Sequence, residues 1–377
     1  MQLVQRTPSF VFQLLLPAKT DSSTPTSAAL SVTLTTAVPS ARMSAAAQFS
    51  DALCCAAQRG DCGRIAEMLS AWRNSSRGGY GTVPGFNLAL RFAAANGHVG
   101  CVDSLLRVTS VHTRYIPELR SAAAQGHIDV VRVFLAARAT PYTFNECSTP
   151  LELAAAHGHK DVVQLLIDVK ATPIGVQGTG PACRAARYGQ CGVLIQLAKA
   201  GAHFGTPRSC FTAAHAAAAA DQVDALKTLA DVKVDVAGVN RQRETPVYSA
   251  VRAEAHGAAE YLLLHVKADA HARFAYQHAP LCVAAGQKSG RMLRLLLRAK
   301  ADVHQGSAGS CDMLWNMPLH EAALHGRAAN VRLLLRAKAC LNAVDSKYDT
   351  PCACARMRGH ATLAALLRIK CTCSKCA

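Results

Sequence analysis

A skeleton of small and apolar residues recurs along this chain about every 33 residues, and a period of that length restricts the fold more than any other feature. The fullest copy runs Thr149-Pro150-Leu151-Glu152-Leu153-Ala154-Ala155-Ala156-His157-Gly158-His159, followed by Asp161-Val162-Val163-Gln164-Leu165-Leu166. It reduces to an apolar residue, Ala-Ala three and four positions later, Gly-His seven and eight later, and then apolar pairs. Copies begin at Leu53, Leu90, Leu119, Leu151, Ala182, Ala214, Val247, Leu281, Leu319 and Cys352. Their spacing varies from 29 to 38 residues, so length changes fall in the connections and not within the elements.

Each copy reads as two helices. Thr149, Thr245 and Thr350 precede Pro150, Pro246 and Pro351. A hydroxyl that meets orphan N–H groups, followed by a residue with preset φ and no N–H to satisfy, is a helix start. The Ala pair makes one helix face small enough for close approach. Gly60, Gly97, Gly126, Gly158, Gly189 and Gly359 permit positive φ and end the first helix. Apolar residues at helical spacing follow, as in Val130-Val131 with Phe134-Leu135, and Met292-Leu293 with Leu295-Leu296-Leu297. One such pair leaves an apolar flank bare, so it is stable only when stacked on its neighbours.

The copies Leu90-Arg91-Phe92-Ala93-Ala94-Ala95-Asn96-Gly97-His98 and Pro318-Leu319-His320-Glu321-Ala322-Ala323-Leu324-His325-Gly326 resemble the ankyrin repeat family, as does Thr350-Pro351-Cys352 running on to Gly359-His360. That family is marked by a Thr-Pro-Leu-His-x-Ala-Ala start and a Gly-His turn. The resemblance covers roughly residues 50–370. It implies an all-α solenoid of about ten helix-turn-helix repeats, with binding residues on loop tips and on first-helix positions that vary between repeats. We expect an N-terminal extension over 1–48, a repeat array over 49–370 and a Cys-rich tail over 371–377. Met43 offers a second start. The tetratricopeptide repeat has a similar period but needs Trp and Tyr at set positions, and this chain holds two Trp.

Composition agrees with closely packed helices: half the chain is apolar, yet only 5% is aromatic. The 16 cysteines are scattered, many of them within apolar helical stretches, which points to reduced thiols in an intracellular, cytoplasmic chain and not to a disulfide framework. The first 50 residues carry one acid, Asp21, with Arg6, Lys19 and Arg42. That composition suits a disordered extension or, as the alternative, an organelle transit peptide; a nuclear location is the other alternative. No run approaches the roughly 20 apolar residues that span a bilayer.

The net charge is +17, and from residue 271 onward 16 Lys and Arg face 5 Asp and Glu. Such a balance favours acidic partners. Nineteen residues after the start, where the family pattern has Gly, this chain has Lys170, Lys233, Lys300 and Lys338, with Lys267 one residue further and Gly201 keeping the usual type. A non-Gly residue in a left-handed turn costs about 1 kcal/mol, which leaves the turn geometry open. Two readings compete. A cation at a helix C-terminus meets the negative end of the dipole, worth about 0.3–1 kcal/mol; alternatively the ammonium groups form a track for anionic ligands. Arg294 with Arg332, and Arg298 with Arg336, share offsets on the second helix and should align on adjacent repeats.

Candidate partner-binding residues are the aromatic, cationic and His side chains of the inter-repeat loops: Tyr142, Phe144, Phe204, Arg241, Arg243, Phe274, Tyr276, His304, Trp315, Lys347 and Tyr348. Aromatic and Arg side chains are the usual interface anchors; the alternative for several of them is covering the adjacent hydrophobic seam. His98, His127, His159, His215, His320 and His360 fall on the family's structural positions, so they read as hydrogen-bonding core residues and not as general bases. No phosphate loop, nucleophile elbow or His-Glu-x-x-His helix is present. Cys371, Cys373 and Cys376, with Cys352 and Cys354, have irregular spacing that reads as free thiols more readily than as a zinc site. We therefore expect no enzyme, cofactor or metal. The expected role is a protein-binding scaffold for partners with acidic surfaces. Anionic lipid or nucleic acid binding, and a substrate adaptor of a ubiquitin ligase complex, are the alternatives.

Overall fold

The computed structural model describes residues 45–75, 83, 85–108, 115–139, 148–169, 171, 180–205, 212–271, 279–304, 317–345 and 347–370. The expected tail 371–377, and all of the expected extension up to residue 44, lie outside the described residues. Residues 44–377 form one compact unit. Its regular structure among the described residues is helical throughout, in ten consecutive pairs. The pairs are α1 (Ala45–Arg59) with α2 (Cys62–Ser75), α3 (Phe86–Ala95) with α4 (Val99–Val108), and α5 (Ile116–Gln125) with α6 (Ile128–Ala136). Next come α7 (Pro150–His157) with α8 (Lys160–Asp168), α9 (Pro181–Arg187) with α10 (Cys191–Lys199), and α11 (Ala213–Ala219) with α12 (Val223–Asp231). The last four are α13 (Pro246–Arg252) with α14 (His256–Glu260), α15 (Pro280–Gly286) with α16 (Arg291–Arg298), α17 (Pro318–Leu324) with α18 (Ala328–Arg336), and α19 (Pro351–Met357) with α20 (Ala361–Lys370).

The starts form as their chemistry dictates. Thr149 Oγ1 accepts from the Glu152 N–H at 3.1 Å, and Glu152 Oε2 accepts from the Thr149 N–H at 3.3 Å, a reciprocal cap on α7. Thr245 and Thr350 cap α13 and α19 by accepting from the N–H groups of Tyr248 and Ala353. First helices pack on one another in succession from α1 to α19, and second helices likewise from α2 to α18. The Ala pairs make this approach close: Ala93, Ala94, Ala122, Ala123, Ala154, Ala155, Ala217, Ala218, Ala322 and Ala323 are wholly buried. One apolar cluster runs unbroken from Leu53 to Leu367.

Helix ends are completed across repeats. His98 Nε2 donates to the carbonyl of Gln58 at 3.1 Å, His127 to Ala95 at 2.9 Å, His159 to Ala124 at 2.9 Å and His360 to Leu324 at 3.2 Å. Each of these carbonyls belongs to the last turn of the preceding first helix, where no intrahelical donor reaches it. Gln190 does the same for Ala156 at 3.4 Å. Where the turn sequence is irregular the donor changes but the bond survives: Gln287 reaches Val251, Arg327 reaches Gly286, and Asn330 reaches both Ala285 and Gln287. In the copy at Ala214, where Asp221-Gln222 replaces Gly-His, Asp221 keeps the left-handed turn at φ 57° and accepts from the Ala258 N–H of α14 at 2.7 Å.

The Lys turns keep their left-handed form without Gly. Lys233, Lys300 and Lys338 stand at φ 62°, 61° and 62°, and the residue after each donates back to Leu229, Leu296 and Leu334 at 2.9–3.0 Å. Lys267 is displaced by one residue because α14 continues as a π-helical turn, Tyr261–His265, which inserts an extra residue. Its closing bond correspondingly lengthens in register, Ala268 N–H to Leu262 O.

Two wholly buried histidines fasten first helices to the following loop. His215 Nε2 donates to Glu244 O at 2.8 Å while Nδ1 lies 2.7 Å from Thr212 Oγ1. His320 Nε2 donates to Asp349 O at 3.1 Å, and its Nδ1 accepts from the Met317 N–H at 3.4 Å. Burial pushes both imidazoles below the ordinary histidine value, outweighing the raising pull of the accepting carbonyls.

Two predictions follow from this stitching. Gly126, at φ +81°, faces the His159 ring so closely that an added Cβ would lie 2.5 Å from Nδ1, whereas Gly201, at φ +69°, has nothing within 4 Å. Gly126→Ala should therefore cost about 2–4 kcal/mol in urea unfolding, combining backbone strain with overpacking, and Gly201→Ala only about 1 kcal/mol. The buried histidines set a pH dependence. Their native pKa lies below the unfolded value of about 6.5, so their contribution is complete above that pH and drains away as pH falls toward the native value. Thermal melts from pH 7.5 to 5 should show Tm falling, with a shallower fall in His215→Gln.

Candidate partner-binding surface

Two inter-repeat loops, 234–245 and 339–350 (residue 346 aside), end in hairpins of the same construction. In the first, Asn240 N–H donates to Glu244 O at 3.0 Å and Arg243 N–H to Asn240 O at 2.9 Å. The Asn240 side chain fills the turn from within: Oδ1 accepts from the N–H groups of Gln242 and Glu244, both at 2.9 Å, and Nδ2 donates to Glu244 Oε2 at 3.1 Å. In the second, Asp345 replaces Asn240. Its N–H donates to Asp349 O at 3.0 Å, and its Oδ1 accepts from Lys347 and Asp349 N–H at 2.8 and 2.9 Å. Asn240, Glu244 and Asp345 are buried. Cys354 Sγ donates weakly to Asp345 Oδ2 at 3.9 Å, and burial followed by that carboxylate pushes the Cys354 thiol up to about 12. His215 and His320 hold the two hairpins from behind.

What faces outward differs between the two tips. Arg241, Gln242 and Arg243 are exposed at one, and Lys347 and Tyr348 at the other. Arg243 and Tyr348 occupy the same left-handed position, at φ 62° and 61°, and Tyr348 is 71% exposed. Four candidate binding residues thus stand in pairs, Arg241 with Arg243 and Lys347 with Tyr348, on two hairpins of one construction that precede α13 and α19. His304 is exposed just past Asp302, whose Oδ1 accepts from its N–H at 2.9 Å. Phe204 packs half-buried against the apolar cluster, so it covers the seam. Tyr142, Phe144, Phe274, Tyr276 and Trp315 lie outside the described residues, as does Lys170.

The cationic candidates form two arrangements. Lys233, Lys267, Lys300 and Lys338 stand exposed at the C-terminal ends of four successive second helices. Asp235, Asp269 and Asp302 follow the first three of these at two residues' distance, and their carboxylates accept loop N–H groups at 2.7–2.9 Å. Those acids offset the lysines; beside Lys338 stands Cys340 instead. Arg294, Arg298, Arg332 and Arg336 are all exposed on the neighbouring helices α16 and α18, in two columns one repeat apart. Elsewhere second helices pair their charges internally, as in Asp103–Arg107 at 2.8 Å and Asp224–Lys227 at 3.0 Å. Among the described residues the four arginines make no ion pair.

Sequence reading missed Arg138, which repeats the Lys turn at φ 59°, and the organisers Asn240, Glu244 and Asp345. Their signal is a short polar residue five positions before Thr-Pro. Cys352 and Cys354 are buried within α19. Among the described residues no three His, Cys, Asp or Glu side chains gather as metal ligands, and no helix is long and apolar enough to cross a membrane.

Comparison with known proteins gives a consistent result. Family models described as ankyrin repeats (3 copies) match residues 90–177, 119–208 and 182–274, and the single ankyrin repeat model matches 315–346. The chain is 30% identical over 149 residues to neurogenic locus notch homolog protein 1 of Xenopus tropicalis, and 32% identical over the same length to that of Mus musculus. These matches cover 40% of this chain and only 6% of each relative. Among solved structures, the human ASB11 ankyrin repeat domain matches with a TM-score of 0.50 at 22% identity, over 58% of this chain and 96% of that domain. The family matches together span more than half of the residues, and they fall on the same stacked helix pairs whose turns and caps are described above, so the chain belongs to the ankyrin repeat family.

Proposed function

We propose that this protein is a non-catalytic scaffold that recognises a protein partner through its hairpin tips, with the basic face of α16 and α18 setting a preference for acidic surfaces. One observation carries the reading. The buried organisers of the two described hairpins are matched, Asn240 with Asp345, each accepting the N–H of the residue four positions on, while the exposed residues differ in charge and shape, Arg243 against Tyr348. A frame held constant beneath variable tips suits recognition, because rigid tips lose little entropy on binding. Arg and Tyr are the side chains that most often dominate interfaces.

The Arg columns support a second reading, electrostatic capture of phosphate-rich ligands. A guanidinium fork pairs with carboxylate and phosphate alike. No exposed aromatic side chain lies on α16 or α18, as stacking of single-stranded nucleic acid would require. That favours an acidic protein.

The test uses the full chain as bait, washed over a salt series, beside Arg243→Ala/Tyr348→Ala and Arg294→Glu/Arg332→Glu. We expect a protein retained at high salt whose recovery falls about tenfold or more with the tip variant. The helix-face variant should slow its association. If the captured material is nucleic acid or lipid, leaves at moderate salt and ignores the tip variant, the electrostatic reading replaces the first.

A further inference from the structure

Cys62 opens α2 and Cys101 is the third residue of α4, so each lies on the second helix of its repeat, in neighbouring repeats. Their sulfur atoms are 3.0 Å apart. Cys101 is wholly buried, whereas Cys62 is part-exposed and also within 3.5 Å of the Gly60 carbonyl. Gly100 leaves the room this meeting needs, since a Cβ there would lie 3.0 Å from Cys62 Sγ. Of the other free thiols among the described residues, Cys55 and Cys340 are exposed, Cys191 is part-exposed, and Cys54, Cys183, Cys282, Cys352 and Cys354 are buried.

We propose that Cys62 and Cys101 are a modification site, where a peroxide-class oxidant closes a reversible disulfide that ties the first repeat to the second. The order of events follows from access. Burial, and then the neighbouring Cys62 sulfur, push the Cys101 thiol up to about 12, so it stays protonated and shielded. Cys62 meets the oxidant first. Its sulfur attacks one peroxide oxygen, the O–O bond breaks, and Cys62 becomes a sulfenic acid with release of one water. The Cys101 sulfur then attacks the sulfenic sulfur. The S–S bond forms as the S–O bond breaks, and the departing hydroxide takes the Cys101 proton as a second water. Two thiols lose two electrons and hydrogen peroxide gains them. A dithiol reductant reverses the change.

The bond would close a loop between residues 39 positions apart, spanning α2, α3 and the connection between them. Cross-linking of that kind restricts the opened state, so the effect should be confined to the first two repeats.

The experiment treats the reduced full chain with hydrogen peroxide under native conditions, then alkylates, digests and weighs the peptides. A Cys62–Cys101 linked pair should appear, lighter by two hydrogens than the separate peptides. Hydrogen exchange in α1–α4 should slow about tenfold, reversibly with dithiothreitol. Cys62→Ser, at a part-exposed position, should abolish both changes while leaving the exchange pattern of the reduced fold intact. Recovery of Cys62 as sulfinate with Cys101 still alkylatable would overturn the proposal. Linkage that forms only in urea would overturn it as well.

Discussion

Turn N–H groups of the same repeat meet most of the last carbonyls of a first helix, but in several repeats one carbonyl of that turn takes its donor from a side chain of the neighbouring repeat. His98, His127, His159 and His360 serve Gln58, Ala95, Ala124 and Leu324. An unmet buried acceptor costs about 1–3 kcal/mol, so each helix pair is incomplete until the next one docks. The bond also explains the glycines beneath it. A ring drawn over the preceding turn leaves no space for a Cβ, which is a separate demand from positive φ. Gly126 answers both demands, whereas Gly201 answers only the second.

Substitutions within the pattern show that the bond, and not the residue, is what the fold requires. Gln190 and Arg327 bring different donors to the carbonyl that His serves in other repeats, and Gln287 and Asn330 reach the carbonyl one residue before it. Asn330 stands where the second helices from α4 to α16, and α20, have an apolar residue, and its amide is wholly buried to supply two carbonyls at once. The lysine turns follow the same logic: the closing bond to Leu229, Leu296 or Leu334 fixes the geometry, and Lys accepts the strain that Gly would avoid.

Most of the fold was legible in the sequence because its signals are local and repeated. Thr-Pro starts and positive-φ Gly ends carry mechanisms that need no distant partner, and the Ala pairs and turn histidines recur at fixed offsets although what they touch lies one repeat away. The π-helical turn at Tyr261–His265 was not legible; a one-residue displacement of Lys267 was its only trace. At the candidate surface, Arg243 and Tyr348 were legible as exposed loop residues, but their equivalence was not. It depends on Asn240 and Asp345 folding inward, a feature defined by what the side chain bonds. Three lysines of the basic track each have an acid two residues on, Asp235, Asp269 and Asp302, whose carboxylate accepts a loop N–H. The concentrated charge lies on α16 and α18.

The dependence of each repeat on the next is tested most directly by hydrogen exchange on the full chain carrying His159→Leu. Loss of the bond to Ala124 should raise exchange in α5 through α8, on both sides of the substitution, while α13 through α20 keep their protection. Loss of protection spread evenly over all ten repeats, or confined to α7 and α8 alone, would contradict the account.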